Sequence, residues 1–112
     1  MKDCLFCKIA NKEIDREIVF ENDKVIAFKY TNPQAPIHLI LFPKEHAYLI
    51  TDVEKFDSEV INELLKTIFK IAEDFKLTEF DNSGLRITTS FGALAGQGTK
   101  HFHLHVLGWP PD

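Results

Sequence analysis

Apolar residues recur at two spacings along this chain, and the changes of spacing divide it into elements. Leu5, Phe6 and Ile9 place an apolar stripe over a short helix that Asp3 stands ready to cap. Ile18 to Glu21 and Val25 to Lys29 are short β-prone segments, and the polar Asn22-Asp23 pair between them reads as a hairpin turn. Thr31-Asn32-Pro33-Gln34-Ala35-Pro36 is a loop, because its two prolines remove backbone donors and restrict the residues before them. Ile37 to Phe42 is a continuous apolar strand broken by His38 and ended by Pro43. From about Asp57 to Phe75, Val60, Ile61, Leu64, Leu65, Ile68, Ile71, Ala72 and Phe75 follow the 3.6-residue period of an amphipathic helix. Leu85 to Thr89 is a further strand, Ser90 to Thr99 a loop of small residues, and His101 to Leu107 the last strand.

Strands near both ends and one long helix between them predict an α+β fold with a largely antiparallel sheet. At 112 residues, with no repeat or linker, residues 1–112 are expected to form a single domain. Hydrophobic residues make up 45% and charged residues 27%, a balance that buries a core rather than staying disordered. Thirteen basic against seventeen acidic residues give a net charge of −4 with no basic cluster, which argues against nucleic-acid binding as the main task. A mononucleotide needs only a local anion site, so the acidic total leaves it open. No signal peptide opens the sequence and no apolar run is long enough for a bilayer, so a cytoplasmic protein without a membrane partner is expected. In that compartment Cys4 and Cys7 do not suggest a structural disulfide, which leaves metal binding or a free thiol pair.

The chemistry concentrates at the end of the chain. Side chains alternate across a strand, so His101, His103 and His105 share one face while Phe102, Leu104 and Val106 take the other. The outer two of the three are then roughly 13 Å apart, which disfavours one metal ion gripped by all three and favours a division of labour. A neutral imidazole is a good nucleophile near pH 7, and a backbone carbonyl bound to one ring nitrogen fixes the other as the attacking lone pair. Gly96-Gln97-Gly98-Thr99, just before the strand, can turn backbone N–H groups toward an anion. Nucleophile and phosphate cradle thus lie within a few residues of each other.

The run His101-Phe102-His103-Leu104-His105-Val106-Leu107 resembles the signature of the histidine triad (HIT) superfamily, in which three histidines alternate with apolar residues. The rest of the chain is similar to the Hint branch, the histidine triad nucleotide-binding proteins. The likeness rests on Phe6-Cys7-Lys8-Ile9, Pro33-Gln34-Ala35-Pro36-Ile37-His38, Pro43-Lys44-Glu45-His46, Gly96-Gln97 and Trp109-Pro110-Pro111. It implies a HIT-like fold: about five antiparallel strands, one long helix and a short N-terminal helix. It also implies a homodimer and the hydrolysis of nucleoside phosphoramidates or related nucleotidyl phosphates. By the same resemblance His103 is the nucleophile that forms a nucleotidyl-histidine, His105 contacts the phosphate or bridging atom, and His38 orients the triad. From its apolar strand alone, His38 reads equally well as a core histidine. Ser90, Gln97, Gly98 and Thr99 match positions around the phosphate, and Leu5, Phe6, Phe28 and Ile40 match an apolar base pocket.

Related branches hold zinc with a Cys-x-x-Cys pair, a later histidine and the first histidine of the triad. Cys4, Cys7, His46 and His101 stand at those places, which implies one structural zinc per chain. The sequence departs from the branch at the sugar site, where Tyr30 replaces an acidic residue. A phenol there offers one hydrogen bond to substrate but lacks the paired oxygens that suit a vicinal diol, so a weaker or different nucleoside selectivity is expected. Gly98 stands where many relatives have serine, and Thr99 is its neighbour. Three other readings remain at this point. The chain can be a nucleotide-binding regulatory module with little turnover, or a dinucleoside polyphosphate hydrolase of the Fhit branch. It can also be a zinc protein whose histidines are all ligands, which the strand spacing disfavours.

Overall fold

The computed structural model describes residues 4–112. In order along the chain it has α1 (Leu5–Ala10), β1 (Ile18–Glu21), β2 (Val25–Lys29), β3 (Ile37–Pro43), α2 (Ile50–Val53), α3 (Ser58–Asp74), β4 (Gly84–Thr88) and β5 (Leu104–Trp109). A single 3-10 turn, Ala93–Ala95, lies in the loop before β5. The five strands form one antiparallel sheet in the order β1-β2-β3-β5-β4. This is the α+β architecture that the apolar pattern predicts.

Apart from His38, strand β3 reads as continuous apolar sequence because both of its faces are covered. Val25, Ala27, Leu39, Leu41 and Val106 pack on one face against Leu64, Ile68 and Ile71 of α3. Ile26, Phe28, Ile40 and Phe42 pack on the other against Phe6 and Ile9 of α1. The even positions of β3 therefore face α1, and His38 is one of them. β3 pairs Ile40 with His105 and His38 with Leu107, which puts His105 on that same face.

Asp57 caps α3, its carboxylate accepting from the Glu59 N–H at 3.1 Å. At the other end Lys76 takes the left-handed conformation, φ 61°. The Lys76 N–H then reaches Glu73 O at 3.2 Å and the Leu77 N–H reaches Ala72 O at 2.8 Å, a Schellman closure made without glycine. The turn lays Leu77 against Gly108, where an added Cβ would stand 2.6 Å from Leu77 Cδ1.

The predicted Asp3 cap lies outside the described residues; among those described, Cys4 is the N-cap of α1, its sulfur accepting from the Cys7 N–H at 3.4 Å. Both bounds of the last strand are corrected. β5 begins at Leu104 rather than at His101. The reason is competition for the backbone: the Phe102 N–H leaves the ladder for Ala47 O at 2.5 Å, and His101 N–H bonds Thr99 O at 2.8 Å. β5 also runs on through Gly108 and Trp109, because Gly84 and Leu85 of β4 extend the pairing to them. The short helix α2 carries no buried residue, so it has no apolar period to reveal it in sequence.

Candidate functional site

Across the α1 face of the sheet the register sets side chains in rows. Phe28, Ile40, His105 and Thr88 form one row, and His38, Leu107 and Arg86 are cross-strand partners in the next. Tyr30 joins that second row, its N–H bonding His38 O at 2.9 Å. Over these rows lies a cavity of about 540 Å3. His38, His103 and His105 line it, together with Leu5, Phe6, Phe28, Tyr30 and Ile40. Ser90, Gly96, Gln97, Gly98 and Thr99 close its far side.

Backbone partners determine the protonation of each ring nitrogen. A carbonyl can only accept, so His103 Nδ1, 2.7 Å from His101 O, carries the proton, and Nε2 keeps its lone pair. The edge of the Phe6 ring holds the His103 ring at a 4.8 Å centroid distance. An amide can only donate, so the Gln34 N–H makes His38 Nδ1 an acceptor at 3.1 Å. The His38 proton is therefore on Nε2, which donates to His105 Nδ1 at 2.9 Å. His105 in turn carries its proton on Nε2. One imidazole thus offers a lone pair and its neighbour, 5.3 Å away between ring centres, offers an N–H.

Burial holds all three rings neutral, lowering His38, His103 and His105 below the ordinary histidine value of 6.5. At His103 the carbonyl bond opposes that shift, and at His105 the neighbouring His103 and His38 add to it.

The loop before β5 is shaped by Gly92 and Gly96, both at φ 91°, where other residues are strained. Gln97 latches it: Oε1 accepts from the Gly92 N–H at 2.8 Å, and Nε2 donates to Tyr48 O and Thr99 O at 3.3 and 3.2 Å. The Gln97 side chain is thus engaged with the loop and shapes the cradle from behind. Thr89, beside Ser90, secures the same region through its hydroxyl, which donates to His103 O at 2.6 Å.

His101 faces away from this cavity. Its Nε2–H donates to Pro43 O at 2.7 Å, which leaves the Nδ1 lone pair facing Cys4 Sγ at 3.2 Å and Cys7 Sγ at 3.6 Å. His46 Nδ1 lies 3.5 Å from Cys7 Sγ, and the four ligand atoms all fall within 4.8 Å of one another. Zinc–sulfur and zinc–nitrogen bonds place neighbouring tetrahedral ligands roughly 3.3–3.8 Å apart, so a Cys2His2 set of this geometry fits that ion. Burial keeps His101 neutral, at about 4, as a ligand must be. Burial, then Cys4, pushes the Cys7 thiol up to about 11; a divalent cation reverses that order by displacing the proton.

Sequence reasoning missed Arg16, Thr31, Gln34, Arg86, Thr88 and Leu107, all of which line the cavity. Arg86, Thr88 and Leu107 are brought there by β4–β5 pairing and Arg16 by its place beside β1, and no local signal marks them.

A family model described as the HIT domain matches residues 11–111, a span that starts after both cysteines. The chain is 34% identical over 110 residues to Protein HitA of Neisseria gonorrhoeae, covering 98% of this chain and 99% of that protein. It is 36% identical over 114 residues to adenylylsulfatase HINT1 of Arabidopsis thaliana, covering 96% and 75%. The crystal structure of a HIT family hydrolase from Legionella pneumophila superposes with a TM-score of 0.86 at 42% identity, covering 95% of this chain and 92% of that one.

Proposed function

The chain belongs to the HIT domain family, and on that footing we propose that it is a nucleotide-binding hydrolase acting through a nucleotidyl-histidine on His103. Its substrates are nucleoside phosphoramidates or related nucleotidyl phosphates. The observation that carries the reading is the His103 Nδ1–H···O bond to His101, 2.7 Å, which leaves a neutral lone pair facing a nucleotide-sized cavity.

The base packs among Leu5, Phe6, Phe28 and Ile40, and the α-phosphate lies against the Gly96–Thr99 loop and Ser90. His103 Nε2 forms a bond to the α-phosphorus as the bond to the leaving group breaks. The His105 Nε2–H hydrogen-bonds the departing atom, and His38 holds His105 in that tautomer. An acidic leaving group departs as its anion; an amine departs from the N-protonated phosphoramidate. Water then attacks phosphorus, the phosphorus–nitrogen bond returns its electron pair to His103 Nε2, and one proton is released with the nucleoside monophosphate. The proton stays on His103 Nδ1, donated to the His101 carbonyl, through both steps.

Cys4, Cys7, His46 and His101 hold the proposed zinc, one per chain. Its contribution is a cross-link that ties α1, with Leu5 and Phe6, to the segment carrying His103. We also infer a homodimer, supported by Leu65 and Phe69 exposed on α3 and by Ile87 on the open edge strand β4.

Intact-protein mass spectrometry after brief mixing with adenosine 5′-phosphoramidate tests the reading. A nucleotidyl adduct on the wild type that is absent from His103→Ala supports it. Tight binding with neither adduct nor product makes the chain a binding module instead.

A further inference from the structure

The sequence contains two arginines, Arg16 and Arg86, and both line the nucleotide cavity of an otherwise acidic protein. Neither forms an ion pair among the described residues, whereas Lys12, Lys24, Lys29 and Lys44 around β1 and β2 are all held by glutamates. Among the described residues no carboxylate lines the cavity. Arg86 has a partner of another kind, the Trp109 ring at 5.6 Å. Among the described residues Arg16 bonds only the carbonyl of adjacent Asp15, at 2.7 Å on the surface.

Register places Arg16 beside Tyr30. β1 and β2 pair Ile18 with Phe28, and the Lys29 N–H bonds Glu17 O at 2.9 Å, so the next cross-strand pair is Arg16 with Tyr30. Glu17, next to Arg16, is taken by Lys29 at 2.8 Å. Tyr30 packs on the His38 and His105 rings, 4.7 and 5.7 Å between centres, and follows Phe28 on the same face of β2. It therefore stands between the apolar end of the cavity and the imidazoles, where the sugar of a nucleotide must lie. Arg16 and Arg86 flank their row four strand spacings apart, roughly 19 Å, too far to share one small anion.

We propose that Arg16 and Tyr30 form a subsite for a phosphate esterified to the sugar, so that the favoured substrate is a nucleotide phosphorylated on its 2′ or 3′ oxygen. The proposal rests on the nucleotide reading above and narrows its substrate class. The donor inventory supplies the reason. A free sugar diol can accept from the guanidinium, but its two hydroxyl protons find no carboxylate among the described lining residues. A phosphomonoester presents acceptors alone, which suit the guanidinium fork and the phenol O–H together.

Calorimetric titration with adenosine 3′,5′-bisphosphate, adenosine 2′,5′-bisphosphate and AMP tests this without requiring turnover. One bisphosphate should bind wild type at least about tenfold tighter than AMP, with an advantage that shrinks as salt is raised. The ratio should collapse toward unity in Arg16→Ala and fall to an intermediate value in Arg16→Lys, which keeps charge but loses the fork. Equal affinities in wild type, or a ratio that survives Arg16→Ala, overturn the subsite and leave the nucleotide reading standing. If none of the three binds, both fall.

Discussion

His38 and His105 share a single hydrogen bond, Nε2 to Nδ1 at 2.9 Å, and the amide of Gln34 sets its direction by occupying the other His38 nitrogen. The loop that ends in Pro36 therefore governs whether the other nitrogen of His105, Nε2, carries the proton. The proline-rich turn is thus coupled through one proton to His105, which lies 67 positions beyond His38.

Replacing His38 with alanine removes that control without touching His103. His105 can then adopt either tautomer, and the hydrogen bond to the departing atom is made only part of the time. The expected result is a fall in kcat on the order of tenfold, as for the loss of one oriented hydrogen bond, with the nucleotidyl adduct on His103 still forming. Single-turnover kinetics beside adduct mass spectrometry separate the two effects.

The pH response follows from burial. His38 and His105 are lowered beneath 6.5 because the charged ring is poorly solvated inside the fold. Below pH 6.5 the unfolded chain takes up protons that the folded chain refuses, so these groups cost stability as pH falls through that value and leave it flat above. Denaturant midpoints measured from pH 8 to pH 5 should hold and then decline. kcat should keep its pH 7 value at pH 6.5, where exposed histidines are already half protonated.

Metal removal is expected to act on stability and on binding together. Purified protein should contain close to one zinc per chain. Chelation, or Cys4→Ser, should lower the melting temperature by roughly 10 °C, corresponding to about 1–2 kcal/mol in a chain this size. AMP affinity should weaken in parallel, because the cluster anchors the helix carrying Leu5 and Phe6. Binding of zinc should tighten as pH rises, since the Cys7 thiol must give up its proton.

The end of α3 offers two substitutions of opposite sign. Lys76→Gly relieves a left-handed residue and should stabilise the fold by about 1 kcal/mol. Gly108→Ala drives a methyl group to 2.6 Å from Leu77 Cδ1 and 3.2 Å from Ile37 Cβ, and should cost about 1–3 kcal/mol. Urea denaturation of both variants checks the pair.

Local pattern was enough for the elements and for part of the site. The apolar period of α3, the two-sided apolar run of β3 and the alternation of His103 and His105 with Leu104 and Val106 are properties of neighbouring residues, and they are legible wherever the chain goes. Tertiary structure decided what depends on register and on distant partners. His101 and Phe102 leave the ladder because Thr99 and Ala47 compete for the backbone there. Arg16 comes opposite Tyr30 only by continuation of the β1–β2 register. Cys4 lies 97 positions from His101, and only the folding of α1 onto the sheet brings the sulfur to 3.2 Å from the ring nitrogen. A sequence declares periodicity and residue chemistry; which tautomer, ligand set or charge results is settled by the neighbours that the fold supplies.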